Sequence, residues 1–280
     1  MTALVDLVGW LGQALVEAAL VGALAGLVGV LVVLRRRVFF ATALTHATFP
    51  GGIIAVLVGW NVLVGNALFA VALTLVMLAL TTWGRQRAAV ASGVVLTGGF
   101  ALGTTLSGLN PTLPVRVQSF LTGSILTVDL ADVVFAGAVL VIAVGVTAAL
   151  RRQLLYSSFD PTGYRAAGFA PWAVDAVVLT LITATVVALT PAVGAILAIA
   201  LLAAPPLAAA RAGLHWRGML VASPLIGAGC AVVGVLVSAR WAVAAGPAIV
   251  LVATAALGAA WGARRLLDRA RVSRTRRVRA

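Results

Sequence analysis

Ionisable side chains set in apolar runs are where this sequence can do chemistry, because such groups are expensive to hold away from water. His46 stands in "ALTHATFPGG", residues 43–52, in a chain with two histidines. Thr42 lies one turn before it on the same helical face, and Thr45 lies beside it. An imidazole flanked by oxygens at this spacing can contact a metal ion or make an interhelical hydrogen bond; the residue types alone leave both open. Pro50 then removes a backbone donor and Gly51-Gly52 lower helix propensity. A helix broken at membrane depth is tolerated where it lines a cavity or is buried in protein. Thr42, Thr45, His46, Pro50 and Gly51 are therefore candidates for the lining of a pathway. Glu17, near the middle of the first expected span, is a candidate for the same pathway or for a structural hydrogen bond. Asp129, Asp132 and Asp175 sit at expected helix starts, where a carboxylate caps free N–H groups.

These residues are carried by a chain of 280 residues that is 62% hydrophobic and 10% charged, with a mean hydropathy of +1.14. Soluble domains carry about 25% charged residues. Recurrent apolar runs predict an all-α polytopic membrane protein. Spans are expected at 8–34, 41–59, 62–82, 88–109, 130–150, 173–190, 192–210, 218–238 and 243–262. That makes nine, or eight if the first segment is re-entrant. The start "MTALVDLVGW" lacks the basic region of a secretory signal, so residue 8 onward reads as a retained span. The transmembrane part covers 1–262 and a basic cytoplasmic tail covers 263–280.

All 20 basic residues are arginine, and the formal charge is +13. With the N-terminus outside and the C-terminus cytoplasmic, only Arg116 and Arg240 fall outside and the other eighteen fall inside, as the positive-inside rule expects. Trp10, Trp60 and Trp241 fall at expected outer ends, and Trp83, Trp172, Trp216 and Trp261 at inner ones. The tail reads as an anchor to the anionic headgroups of membrane lipids, and no nucleic-acid partner is expected. A chain without lysine cannot form a Walker A phosphate loop, and the single Cys230 excludes an internal disulfide. The external connection 110–128 has an apolar second half suited to a short re-entrant or interfacial helix. In the internal connection 151–171, Asp160-Pro161 predicts an N-cap followed by a short helix.

"ALTHATFPG" resembles the Asp-Ala-Leu-Ser-His-Ala-x-x-Pro-Gly signature of the permease subunits of metal-type ABC importers, the manganese, zinc and iron chelate permease family. "GSILTV" at 123–128 with Asp132 after it, "FDP" at 159–161 with "RAAG" at 165–168, "AVGAILAIALLAAPPLAAARAG" at 192–213 and "GPAIVLVA" at 246–253 follow in the family's order, so the likeness covers nearly the whole chain. It implies a homodimeric permease in the bacterial plasma membrane, clamped by two ABC ATPase subunits and fed by an extracellular metal-binding lipoprotein. Transport would proceed by alternating access, with ATP bound and hydrolysed on the partner and no cofactor or catalytic residue in this chain. The likeness implies His46 as a metal contact. It also makes "APPLAAARAGLHWR", residues 204–217, the segment that docks into the ATPase, with Pro205, Pro206, Arg211, His215 and Arg217 as coupling residues. From the residues alone, Pro205-Pro206 is expected to end the seventh span.

Two departures bear on cargo. Thr42 stands where the signature has aspartate, and Thr162 follows the Phe-Asp-Pro motif where an acid is usual. A divalent ion in transit favours carboxylate plus imidazole; Glu17 would supply the carboxylate if the first span packs against the second. The leading expectation is the membrane subunit of an importer of manganese, zinc or iron. The alternatives are the same architecture carrying a chelate or haem-like cargo, and a membrane scaffold that no longer conducts. An ion-coupled secondary transporter is disfavoured by the scarcity of intramembrane carboxylates.

Overall fold

The computed structural model describes residues 2–82, 88–110, 117–125 and 128–278; of these, the side chains of 2–10, 82, 117–119 and 267–278 lie outside the description. The described residues form thirteen helices: α1 (Thr2–Leu34), α2 (Val38–Ala47), α3 (Phe49–Val58), α4 (Val62–Thr82), α5 (Ala88–Leu109), α6 (Val117–Thr122), α7 (Leu130–Ala149), α8 (Arg151–Phe159), α9 (Pro161–Ala166), α10 (Pro171–Val193), α11 (Ala195–Arg211), α12 (Trp216–Trp241) and α13 (Ala245–Val278). Among the described residues, eight helical segments are long and apolar enough to cross a membrane, α2 and α3 counting together as one. The ninth expected span is α11, an apolar helix of 17 residues. At about 1.5 Å per residue it reaches some 25 Å, short of a hydrocarbon core of about 30 Å.

Three spans form the centre. Their most apolar windows are 72% buried in α1, 67% in α2–α3 and 72% in α10, against 17–22% in α4, α5, α7 and α13. A helix that is apolar on every side belongs in a core or in lipid; burial sorts the central ones from those that face hydrocarbon. α1 is the spine, lying along α12, α11, α7 and α10. Its approach to α12 is close because Gly22 and Gly26 leave room. A Cβ on Gly26 would stand 2.7 Å from the Pro224 nitrogen, and one on Gly22 would stand 2.7 Å from the Gly227 carbonyl carbon. This is the small-residue packing that membrane helices use where hydrophobicity cannot drive association.

Pro205 and Pro206 do not end the seventh span, contrary to the sequence expectation. Both are buried inside α11, which continues to Arg211. Pro206 has no N–H for the Leu202 carbonyl. That carbonyl abuts Gly29 of α1, where a Cβ would lie 3.2 Å from Pro206 Cγ. The prolines are accommodated by a neighbouring glycine rather than by a chain reversal.

Both irregular connections carry the short helices expected of them. α6 leads into Gly123, whose left-handed backbone (φ 62°) meets Gly194 (φ 85°) between α10 and α11. Ser124 N–H donates to the Pro191 carbonyl at 3.0 Å. Asp160 accepts from Gly163 N–H at 2.8 Å and caps α9, with Pro161 at its first position.

One end of the bundle gathers arginines. Arg35 Nη1 donates to Asp175 Oδ1 at 2.7 Å and its Nη2 donates to the Leu154 carbonyl at 3.3 Å and to Ser157 Oγ. Arg37 Nη2 donates to Asp175 Oδ2 at 3.1 Å. Asp175, read from sequence as a helix cap, is instead the shared partner of two guanidinium groups. Burial draws the Arg35 guanidinium below its usual range, and Asp175 opposes that. The Arg35 side chain is 8% exposed, so Asp175→Ala leaves a buried charge without its partner. The expected loss is about 3 kcal/mol, read as a lowered unfolding midpoint of the purified protein in detergent; an unchanged midpoint would refute the clasp.

Arg264 Nη1 donates to the Arg211 carbonyl at 3.2 Å, placing the start of the basic tail at the same end. The tail continues α13 as helix to Val278. Arg85, Arg87, Arg116 and Trp83 lie outside the described residues.

Candidate substrate pathway

The second span carries the pathway candidates, and its interruption falls at Thr48 rather than within Pro50-Gly51-Gly52. α2 ends at Ala47, Thr48 takes φ −80° and ψ −11°, and α3 begins at Phe49 with Pro50 in its first turn. Gly51 N–H donates to the Thr48 carbonyl at 2.9 Å. Pro50, without an N–H, cannot accept the role of partner to the His46 carbonyl four residues back. The break in the hydrogen-bond ladder therefore opens at the histidine itself.

The two half-helices share α5 but differ in their other main neighbours. α3 lies on α4, where Gly51 approaches Gly65 and Asn66; a Cβ on Gly51 would be 2.6 Å from Phe69 Cβ and 3.1 Å from Asn66 Cα. Gly51 thus serves a close helix contact. Pro50 is buried toward α5, where a Cβ on Gly103 would meet its ring at 3.1 Å. Phe49 packs on Phe120 of α6 with ring centroids 5.2 Å apart. α2 lies against α5, α11 and α10. It buries Phe40, Ala41, Ala43, Leu44, Thr45 and Ala47 and leaves Thr42 and His46 half-buried, next to Phe39 at 45% exposure. Positions 39, 42 and 46 share one helical face, the face of α2 that the bundle leaves uncovered.

The hydrogen bonds around His46 fix its tautomer. His46 Nδ1 lies 3.1 Å from the Thr42 carbonyl and 3.1 Å from Thr45 Oγ1. The single Thr45 hydroxyl proton goes to the Thr42 carbonyl at 2.9 Å, and a carbonyl only accepts. Donation to the carbonyl puts a proton on Nδ1, and in the neutral tautomer that has it Nε2 keeps the lone pair. Metal-ligating histidines are oriented in this way, with the other ring nitrogen donating to a carbonyl or carboxylate. Thr42 offers its carbonyl rather than its hydroxyl, since Thr42 Oγ1 donates to the Val38 carbonyl at 2.9 Å.

Glu17 does not join this group. It lies six residues inside the span that begins at Leu11, about 9 Å from that edge at 1.5 Å per residue, within the apolar part of the span as the sequence suggests. α1 lies along α7 and barely meets α2, so the packing needed for Glu17 to serve as a co-ligand of His46 is missing. Its carboxylate is fully buried, neither oxygen has a hydrogen-bond partner, and the charge that acts on it is Asp132 at the start of α7. Asp132 itself accepts from the Asp129 N–H at 3.1 Å, as expected of a helix start. Among the described residues no cluster of three His, Cys, Asp or Glu side chains is present.

The other candidate set lies at the arginine-rich end. Between α11 and α12, Arg211, Gly213, Leu214 and His215 are exposed, with Arg217 exposed just beyond. Gly213 takes a left-handed turn (φ 84°). His215 and Arg217 therefore stand on a solvent-facing turn, whereas Pro205 and Pro206 are inside the bundle. Sequence reading missed the Arg35–Asp175–Arg37 clasp: the partners are 138–140 residues apart, and the only signal was a carboxylate in an otherwise apolar span start.

The profile of the ABC 3 transport family matches residues 8–262. The manganese transport system membrane protein MntC of Listeria innocua is 29% identical over 88% of this chain and 88% of its own length. The zinc transport system membrane protein TroC of Treponema pallidum is 34% identical over 82% of this chain and 80% of its own length. The structure of PsaBC from Streptococcus pneumoniae in complex with Fab superposes with a TM-score of 0.81 at 26% identity, covering 93% of this chain and 95% of that one. With eight apolar spans among the described residues, this chain is a multi-pass protein of the bacterial plasma membrane and, like the permease subunits it resembles, not itself catalytic. It belongs to the ABC 3 transport family, as a membrane permease of the metal type.

Proposed function

We propose that this chain is the membrane-spanning subunit of an ATP-driven importer of divalent metal ions, manganese or zinc foremost, that works by alternating access. Two copies would enclose the pathway, a separate ABC ATPase would bind and hydrolyse the ATP, and an extracellular binding lipoprotein would deliver the cargo. The observation that carries the reading is His46: its Nδ1–H is committed to Thr42 and Thr45, so Nε2 is a free Lewis base on the uncovered face of α2. Relatives named for manganese and zinc transport support the cargo class. The arginine-rich end is assigned to the cytoplasm by the positive-inside rule. Residues 1–262 then form the permease and 263–280 a basic cytoplasmic extension.

The exposed turn carrying Arg211, His215 and Arg217 is the proposed seat of the ATPase, and buried Pro205-Pro206 set the course of the helix that leads to it. Arg211→Ala is expected to reduce ATP-driven uptake about tenfold, the equivalent of about 1.4 kcal/mol, while metal binding by the purified permease stays unchanged. Equal losses of binding and uptake would remove Arg211 from the coupling role.

The deciding experiment is uptake in proteoliposomes that hold the permease with its ATPase and binding protein. Manganese, zinc and iron would be offered free and as chelates. ATP-dependent uptake of a free ion supports the reading; uptake of chelates alone replaces it with the second reading. One observation favours that alternative: Thr42 supplies a carbonyl where a carboxylate would help a hard or borderline ion. Thr42→Asp places a carboxylate one turn from His46 on the same face. About tenfold higher affinity for the free ion is expected, measured as the half-saturating concentration for uptake. A half-saturating concentration that does not fall would mean that the cargo does not pass beside this face.

A further inference from the structure

We propose that a trough between α7, α8 and α12 is a binding site for an anionic phospholipid, with an acyl chain along its apolar wall and the phosphate held by Arg151, Arg152 and Arg217. The trough has a volume of about 680 Å³, within the range of ligand-binding cavities. Leu27 of α1 forms its floor, and Leu140, Val144 and Leu220 line its sides. These residues belong to spanning segments. The neighbouring Val141, Val221 and Leu225 are 73%, 65% and 69% exposed, so the trough opens sideways into hydrocarbon, where a lipid tail lies.

Its mouth is of the opposite character. Arg151 and Arg152 start α8, and Trp216 and Arg217 start α12; all four line the same trough. The Arg217 guanidinium lies over the Trp216 ring at 5.0 Å, and an indole at a helix end marks the headgroup level. Among the described residues the ion pairs are those of Arg35 and Arg37 with Asp175. The three arginines of the mouth therefore line one trough with no ion-pair partner among the described residues. A phosphate diester supplies the missing charge and accepts from a guanidinium in bidentate fashion.

A second, independent observation lies on the wall of the trough. Thr147 lines it, is 5% exposed, and its Oγ1 has no hydrogen-bond partner. Other threonines in the spans satisfy their hydroxyl by donating to the carbonyl four residues back, as Thr42, Thr180 and Thr185 do. An unpaired buried hydroxyl is unfavourable. Thr147 stands one turn before Arg151 on the wall of the trough, and a turn of its side chain would bring the hydroxyl to an ester or phosphate oxygen of a lipid. On the expected orientation this mouth faces the cytoplasmic leaflet, which carries the anionic lipids. The site is distinct from the basic tail, whose attraction to headgroups needs no groove.

The test uses the purified full-length permease and native mass spectrometry with dioleoyl phosphatidylglycerol and dioleoyl phosphatidylcholine. Wild type is expected to retain phosphatidylglycerol at least tenfold over phosphatidylcholine. Arg151→Gln, Arg152→Gln and Arg217→Gln should each weaken retention about fivefold. Lysine at the same positions should restore part of it, and Thr147→Val should cost about threefold. Val144→Phe fills the trough from a half-exposed position and should displace the lipid without changing charge. Controls that each remove one charge elsewhere, Arg36→Gln, Arg165→Gln and Arg265→Gln taken singly, should leave retention within twofold of wild type. The site is overturned if the controls lose as much lipid as the mouth variants, or if Val144→Phe retains it fully. It is overturned equally if these variants change the oligomeric state or ATPase binding while lipid retention stays constant, since the trough would then be a protein contact.

Discussion

His46→Ala is expected to lower ATP-dependent uptake of manganese or zinc about a hundredfold while the permease still elutes as a single folded species. Losing even an outer partner of a metal ligand weakens sites by about 10- to 100-fold, and here the ligand itself is removed. The loss should be severe because nothing stands ready to replace the imidazole. Glu17 lies along α7 rather than α2, and no cluster of three His, Cys, Asp or Glu side chains occurs among the described residues. Folding should survive because alanine favours helix, the ring is half-buried, and its hydrogen bonds run only to its own turn. His46→Gln keeps the hydrogen-bonding capacity and loses the imidazole, so it should resemble the alanine variant in uptake. Normal uptake in either variant would return His46 to a structural role.

Gly26→Ala is expected to destabilise the protein by about 3 kcal/mol, whereas Gly93→Ala should leave it unchanged or up to about 1 kcal/mol more stable. The two substitutions are chemically identical. In α1 the new methyl would stand 2.7 Å from the Pro224 nitrogen and closer still to the Ser223 carbonyl, so α12 must move away along the whole contact. In α5 nothing lies within 4 Å of the added atom at Gly93, and alanine gains over glycine by its smaller loss of backbone freedom. Unfolding midpoints of the two variants in one detergent read the contrast directly. Equal midpoints would mean that the α1–α12 contact is looser than the glycine positions require.

Much of the architecture could be read from the order of apolar runs. Eight of the nine expected spans have counterparts among the long apolar helices, within a few residues at most ends, because length and hydropathy alone decide what can cross a bilayer. α11 was overestimated as a span because apolar composition carries no information about how far a helix must reach. The reading of Pro205-Pro206 as a stop failed for a related reason. A proline ends a helix when its freed carbonyl has nowhere to go, and Gly29, about 175 residues earlier in the chain, gives it room. Thr42 and His46 on one face followed from a spacing of four. Which nitrogen of the ring remains free followed only from the positions of the Thr42 carbonyl and the Thr45 hydroxyl. Asp175 could not be assigned from its own segment, since a carboxylate at a helix start satisfies the local rule whether or not arginines arrive from elsewhere.

The single residue between α2 and α3 divides one membrane crossing into two levers that share α5 and otherwise lean on different helices. α3 is keyed into α4 through Gly51 and Gly65, while α2 leans on α10 and α11, and both touch α5. Because Pro50 already lacks the backbone hydrogen bond that would bridge the joint, bending there breaks fewer rungs than bending anywhere else in the span. A small tilt of α2 about Thr48 would swing the imidazole across the open face while α3 stays seated on α4. The crossing thus bends most easily at a joint two residues past its one histidine.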